Sequence, residues 1–69
     1  FGKMAVKILC RYFGFYVVLK KGSNVKLRVK KGNKSITTIV PQHRELAKGT
    51  LDGVLELAAV DFIEFRKYI

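Results

Sequence analysis

The feature that most constrains this chain is the strict alternation of residue types between positions 24 and 30. Val25, Leu27 and Val29 are apolar, and the residues between and beside them are polar or basic. Alternation of this kind is the pattern of a β-strand, whereas a helix repeats about every 3.6 residues. The sequence therefore predicts a strand with one packed face and one solvent-facing side, which carries Asn24, Lys26, Arg28 and Lys30.

Turn signals on both sides of this strand predict two neighbouring strands. Gly22-Ser23 precedes it, and a Lys-Gly-Asn-Lys segment at 31–34 follows it. Aromatic and β-branched residues fill positions 15–19, and a third segment at 35–40 ends before Pro41. Because the connections are too short for a crossover, we expect a three-stranded antiparallel meander.

The segment before the strands has helical periodicity. Its apolar residues recur at spacings of three and four over positions 3–13, and Gly14 follows where a left-handed residue would end a helix. The apolar positions are Met4, Ala5, Ile8, Leu9 and Tyr12. The pattern predicts an amphipathic first helix.

The segment after the strands predicts a second helix and a short third one. Thr50 is positioned to cap the second helix, with Asp52 in its first turn, and Asp61 opens an acidic version of a capping box. The expected apolar stripe of the second helix is Leu51, Val54, Leu55 and Ala58. The predicted fold is α+β, in the order α-β-β-β-α with a helical tail, and its helices cover one face of the sheet. We expect one domain, residues 1–69, because 69 residues allow no more than one, and a chain this short buries only about 60% of its unfolded surface, so its stability is marginal.

Charge is distributed unevenly along the chain. Positions 1–44 contain eight lysines, three arginines and no acidic residue, whereas positions 45–69 contain three basic and five acidic residues. The two segments thus carry +11 and −2 by simple count. Basic residues that cluster on one element are expected of a protein that binds nucleic acid with salt-dependent affinity. A soluble basic domain without such a ligand is the alternative explanation.

The remaining composition narrows the class of protein. Cys10 is the only cysteine, which excludes an internal disulfide and favours a reducing compartment, and its place in the helical pattern suggests a core residue. No run of about 18 apolar residues occurs and nothing resembles a signal peptide, so we expect a cytoplasmic protein that does not enter a membrane. No Cys, His and carboxylate cluster indicates a metal site, and no cofactor is expected.

The first hairpin is the candidate binding surface. Five basic residues surround its turn and Asn24, namely Lys20, Lys21, Lys26, Arg28 and Lys30. Phosphate contacts from such cations, together with reading of minor-groove shape, suit A-form RNA. A solvated strand face that resists aggregation is the alternative. Ser23 is equally consistent with a hydrogen bond to phosphate and with completion of the turn.

Two further features have structural explanations that we prefer to functional ones. The aromatic residues are expected in the core rather than as base-stacking platforms, namely Phe13, Phe15, Tyr16, Phe62 and Phe65. A Lys-Gly-Thr segment at 48–50 offers free backbone N–H groups to an anion at a helix start, but Asp52 opposes an anion there. We therefore interpret the segment as a helix cap.

Short motifs spread along the chain resemble the HicA (YcfA-like) family of toxins from type II toxin–antitoxin pairs. They are Gly-Phe-Tyr-Val-Val at 14–18, Lys-Gly-Ser at 21–23, Val40-Pro41, His43 with Glu45-Leu46, Lys-Gly-Thr-Leu at 48–51, and Glu64-Phe65. The resemblance implies a double-stranded-RNA-binding-like fold and a ribosome-independent mRNA endonuclease activity. It also implies an mRNA substrate and neutralisation by a HicB-like antitoxin.

The chain departs from the family pattern at Asn24. In the family a catalytic histidine follows the Gly-Ser pair, so the resemblance assigns the catalytic position to Asn24. An amide cannot accept and return a proton as a group that titrates near neutrality does, and loss of such a group commonly costs about 10²- to 10⁴-fold in rate. We therefore expect impaired cleavage with RNA binding retained. An inactivating substitution and natural divergence are both consistent with this residue.

His43, the only histidine, is the other candidate for proton transfer. It matches a family position in the loop after the third strand, but no spacing argument brings it to the turn at Asn24. A loop histidine that bonds locally or contacts the antitoxin is the simpler interpretation, because a catalytic assignment requires geometry first.

Three hypotheses follow from the sequence. The first is a HicA-like mRNA endoribonuclease that is impaired at Asn24. The second is a non-catalytic RNA-binding module of the same fold. The third is a small interaction protein whose basic face only docks an acidic partner.

Overall fold

The computed structural model describes residues 2–42 and 48–69 and confirms the predicted order of elements. The elements are α1 (Gly2–Tyr12), β1 (Tyr16–Lys21), β2 (Asn24–Lys31), β3 (Lys34–Pro41), α2 (Lys48–Ala58) and α3 (Phe62–Arg66). The three strands form one antiparallel sheet in the order β1-β2-β3, so the fold is α+β with the α-β-β-β-α order.

Two-residue turns connect the strands at the predicted places. Gly22 begins the first turn with φ 59° and Gly32 begins the second with φ 62°. A positive φ at the first central position matches the right-handed twist of a hairpin, and glycine reaches it without steric cost. These two turns make the meander compact and place Asn24 immediately after the first of them.

The core lies between the helices and one face of the sheet, called the inner face. Val25, Leu27 and Val29 of β2 are 4%, 0% and 7% exposed, as the alternating pattern predicts. The apolar stripe of α2 is also confirmed, since Leu51, Val54, Leu55 and Ala58 are all buried. Full burial of an aliphatic side chain contributes about 1.5–3 kcal/mol, so these residues supply much of the fold's stability.

A buried hydrogen bond joins the sheet to α2. Thr38 of β3 is 1% exposed, and its Oγ1 donates to the backbone carbonyl of Val54 at 2.8 Å. A buried hydroxyl needs such a partner, because leaving it unpaired costs about 1–3 kcal/mol. The bond therefore fixes where α2 crosses the sheet.

Left-handed residues end the first two helices. Gly14 follows α1 with φ 77°, as predicted, and the Leu9 carbonyl accepts from the N–H groups of Phe13 and Phe15 at 3.2 and 3.1 Å. Ala59 follows α2 with φ 56°, which is unusual for a residue with a side chain. Its N–H and that of Val60 satisfy carbonyls of the last turn in a Schellman motif, at 3.1 and 3.0 Å.

The buried face of α1 is narrower than predicted. Ala5, Ile8 and Leu9 are buried, but Met4 and Tyr12 are 44% and 50% exposed. Tyr12 instead stacks on the ring of Tyr68, with centroids 4.0 Å apart and the planes 11° from parallel. The C-terminal residues thus cover the end of α1 in place of the sheet.

The predicted caps of the later helices are not formed. Thr50 is the third residue of α2, which begins at Lys48, so Asp52 does not lie in the first turn. Asp61 occupies the N-cap position of α3 with extended φ and ψ, but its side chain makes no capping hydrogen bond. Helix ends depend on backbone geometry as well as on residue preference, and boundaries one or two residues away are common.

β1 lies at the edge of the sheet and is not covered by the helices. All six of its residues, Tyr16–Lys21, are exposed. The aromatic residues divide accordingly, because Phe15 and Phe65 are buried while Tyr16 and Phe62 are 47% and 37% exposed. The expectation of a core position is therefore wrong for Tyr16 and Phe62.

Candidate nucleic-acid interface

The sheet face that points away from the helices, called the outer face, carries most of the predicted binding residues. On β2 the buried residues alternate with Asn24, Lys26, Arg28 and Lys30, which therefore lie on the outer face. The antiparallel register sets them in rows across the sheet. The three rows used below are Lys21–Asn24–Pro41, Leu19–Lys26–Ile39 and Tyr16–Arg28–Thr37.

A β-bulge at Val18 determines which β1 residues join these rows. Val17 pairs with Leu27, but Leu19 pairs with the adjacent Lys26, so β1 contains one extra residue between them. Side chains alternate along a strand, and one extra residue reverses the face of every residue that follows. The bulge thus places Val17 on the inner face and Leu19 on the outer face.

The structure brings some of the predicted binding residues together and separates others. Lys21 and Asn24 are paired across the first turn, and Lys26 follows on the same face. Lys20 pairs with Val25 and so lies on the inner face, at the uncovered edge. Lys30 shares the outer face but is about 20 Å from Asn24 along β2, at about 3.3 Å per residue.

Arg28 is held in place by a neighbouring strand. Its Nε donates to Oγ1 of Thr37, directly across the sheet, at 3.2 Å. The bond restrains a long side chain, and within residues 2–42 and 48–69 no other hydrogen bond occupies the two terminal nitrogens of the guanidinium. A guanidinium oriented in this way is suited to phosphate, which it contacts through two parallel hydrogen bonds.

Asn24 shares its row with Lys21 and Pro41. It is exposed on the outer face, immediately after the turn residue Ser23, which is also exposed. Its amide supplies one acceptor and two donor hydrogens but no group that titrates. His43, the other candidate for proton transfer, lies outside the described residues.

Two aliphatic residues on the outer face were not anticipated from the sequence. Leu19 and Ile39 are 51% and 47% exposed and flank Lys26 from the two neighbouring strands. With Lys21 and Asn24 they line a shallow concavity of about 220 Å³. Because side chains alternate along a strand, Ile39 is expected on the face opposite its neighbour Val40. The placement of Leu19, in contrast, depends on the bulge.

The outer face has a strongly positive electrostatic environment. Positions 1–44 contain no acidic residue, and the acidic residues that the structure describes all lie in α2 or beyond it. Within residues 2–42 and 48–69, the one ion pair joins Lys67 Nζ to Glu64 Oε2 at 2.7 Å, on the exposed end of α3. Among the described residues, no acidic side chain pairs with the lysines of the outer face, which leaves them available to an external anion.

Other candidate chemistry is weaker. Cys10 is half-buried against the core, and burial raises the pKa of its thiol, which disfavours the reactive thiolate. The described residues contain no group of three or more His, Cys, Asp or Glu side chains arranged to hold a metal ion. Over the same residues, no helix is both long and apolar enough to cross a membrane.

Comparison with known proteins gives one result. The family model described as the HicA toxin of bacterial toxin-antitoxin matches residues 2–60, which include the whole sheet and α2. No curated protein and no solved structure matches the chain.

Proposed function

Because the chain belongs to the HicA toxin family of bacterial toxin–antitoxin pairs, we propose that its outer face binds mRNA and that its endoribonuclease activity is impaired at Asn24. The observation that carries this proposal is the placement of Asn24 beside Lys21 and Lys26 on one exposed face. A catalytic residue at that position lies within a cationic surface that can hold the RNA backbone.

The chemistry required at this position is proton transfer. In metal-independent RNA cleavage a base removes the proton of a 2′-OH, whose oxygen attacks the adjacent phosphorus. The bond to the 5′-oxygen breaks, that oxygen takes up a proton, and a 2′,3′-cyclic phosphate remains. Lys21 and Lys26, the cations nearest Asn24, would neutralise the phosphate, which gains charge in the transition state. A histidine at position 24 could supply the base, whereas the amide of Asn24 cannot.

The proposed catalytic role of position 24 can be tested directly. Purified wild-type protein, Asn24→His and Lys20→His are incubated with labelled RNA in the presence of a chelator. Lys20→His is a matched control, because it places a histidine on the neighbouring strand but on the opposite face. Cleavage that appears in Asn24→His alone supports the proposal, and a folded Asn24→His variant that cuts no faster than wild type contradicts it.

The second candidate function is a non-catalytic RNA-binding module. It is favoured because the basic residues of the outer face are present, whereas the residue at position 24 cannot transfer a proton. In that case wild-type protein binds RNA with a strong salt dependence, and Asn24→His gains no cleavage. Both functions include salt-dependent RNA binding, so the cleavage assay on Asn24→His distinguishes them.

The third candidate is a protein that only docks an acidic partner. Family membership implies a partner within a toxin–antitoxin pair, and we propose that a HicB-like antitoxin covers the outer face with acidic side chains. If the outer face also binds RNA, RNA and antitoxin should displace each other, because both would occupy that face. A protein that binds the antitoxin but shows no salt-dependent RNA affinity would support docking alone.

A further inference from the structure

The concavity between β1 and β3 contains more apolar surface than phosphate binding requires. Leu19 and Ile39 lie one strand to either side of Lys26, and both are about half exposed. The polar members of the concavity, Lys21 and Asn24, form the adjacent row near the turn. Aliphatic side chains and cations therefore share one small surface.

The face of the sheet on which Leu19 lies is imposed by the backbone. Without the bulge at Val18, Leu19 would share the inner face with Val17. Bulges commonly re-aim a side chain near functional sites. The aliphatic residues of β2 and Val40 of β3 are almost completely buried, with Leu27 and Val40 at 0% exposure, whereas all of β1 is exposed. Two aliphatic groups kept in water on a cationic face are consistent with a ligand that has both apolar and anionic parts.

The size and chemistry of the concavity restrict that ligand. About 220 Å³ is below the roughly 300–1,000 Å³ of pockets that enclose drug-sized molecules, so a smaller group is expected. The flat face of a nucleobase can pack on Leu19 and Ile39 while its phosphate contacts Lys21 or Lys26. The amide of Asn24 can both donate to and accept from a base edge.

We propose that this concavity is a subsite for one unpaired nucleotide of single-stranded RNA. The inference rests on the proposed function and specifies its substrate. In an A-form duplex the faces of the bases are stacked inside the helix and only edges, riboses and phosphates are accessible. An apolar contact with a base face therefore requires an unpaired base, which differs from the minor-groove reading of duplex RNA expected from the sequence.

The test compares one RNA strand in two states. Affinity is measured by fluorescence anisotropy for a labelled 12-nucleotide oligouridine, alone and annealed to oligoadenosine. We expect Leu19→Ala and Ile39→Ala each to weaken binding of the single strand about three- to tenfold, because apolar contact with the base is lost. The affinity of each variant for the duplex should stay within about twofold of wild type. The slope of log affinity against log salt should be unchanged, since no phosphate contact is removed.

Val17→Ala is the matched control. Val17 is 44% exposed on the same strand but faces the opposite side of the sheet, so its truncation should leave both affinities unchanged. Unchanged single-strand affinity in Leu19→Ala and Ile39→Ala overturns the subsite, as does an equal loss for single strand and duplex. The salt dependence of wild-type binding tests the proposed function separately, because it can persist when the subsite fails.

An NMR titration of the wild-type protein tests the subsite without relying on the folding of any variant. Methyl-labelled protein is titrated with a uridine trinucleotide and followed by NMR. The methyl signals of Leu19 and Ile39 should shift while those of Val17 do not. Shifts of equal size at Val17, or none at Leu19 and Ile39, count against the subsite.

Discussion

Asn24 lies directly opposite Lys21 across the two-residue turn that joins β1 to β2. The register places both residues on the outer face, in the row next to Lys26. The position at which we propose a catalytic residue is therefore flanked by ammonium groups. This arrangement determines how a histidine introduced there should titrate.

The pH dependence of Asn24→His is the first prediction. Positive charges nearby disfavour the imidazolium, so the pKa of the new histidine should fall below its usual value of about 6.5. Cleavage by a general base should then rise as pH increases through that lowered pKa and level off by neutral pH. The cleavage rate of Asn24→His is measured over pH 4.5–8. As a control, Lys21→Gln is added to the same variant, and the loss of one positive charge should move the midpoint of the profile upward. A midpoint that stays constant in the double variant would contradict the assigned contact.

The cations of the outer face should differ in their contribution to RNA affinity. We expect Lys26→Gln or Arg28→Gln to weaken binding and to reduce the slope of log affinity against log salt by about 0.7–0.9, as expected for one lost phosphate contact. Lys20→Gln removes the same charge from the inner face and should change the slope less. Equal effects at all three positions would indicate attraction to net charge rather than a defined surface.

Thr38→Val should destabilise the fold with almost no change in shape. The substitution removes the hydrogen bond to the Val54 carbonyl and should lower the free energy of unfolding by about 1 kcal/mol. Thr37→Val is a matched control on the adjacent, half-buried residue, whose hydroxyl accepts a hydrogen bond from Arg28 on the outer face. Urea unfolding measures both, and a larger loss in Thr37→Val would argue against the buried bond as a link to α2.

Ala59→Gly should stabilise the protein. Ala59 has φ 56°, and a left-handed conformation costs a residue with a side chain about 1–2 kcal/mol. Glycine removes this strain but adds entropy to the unfolded chain, so a net gain of about 0.5–1 kcal/mol is expected. Ala58→Gly, one residue earlier and buried in α2, should instead be destabilising. Thermal unfolding compares them, and a lower midpoint in Ala59→Gly would be contrary to expectation.

Cys10 should react slowly with thiol reagents. Burial raises its pKa, so less thiolate is present at a given pH than in a free cysteine. The folded state thus favours the protonated thiol. This preference stabilises the fold at pH values below the pKa that the Cys10 thiol has in the unfolded chain. The stabilisation is lost as pH rises through the higher pKa of the folded state. Alkylation rates at pH 8, with and without urea, measure the effect, and equal rates would contradict it.

Much of the fold follows from local sequence signals. The alternation at Val25, Leu27 and Val29 identifies a strand with one buried face, and the turn glycines Gly22 and Gly32 supply the positive φ that each hairpin requires. The helix caps were harder to predict. Thr50 has the right chemistry for a cap, but the helix begins two residues earlier, at Lys48.

The sequence by itself determined the order of the elements, the buried face of β2 and the row of cations that alternates with it, because these depend on residue type and spacing along one strand. Tertiary structure decided which β1 residues stand beside Asn24. The bulge at Val18 turns Leu19 and Lys21 outward and Lys20 inward. The physical reason is that side-chain direction reverses with each residue, so a single unpaired residue, set by pairing between strands, changes the face of all that follow.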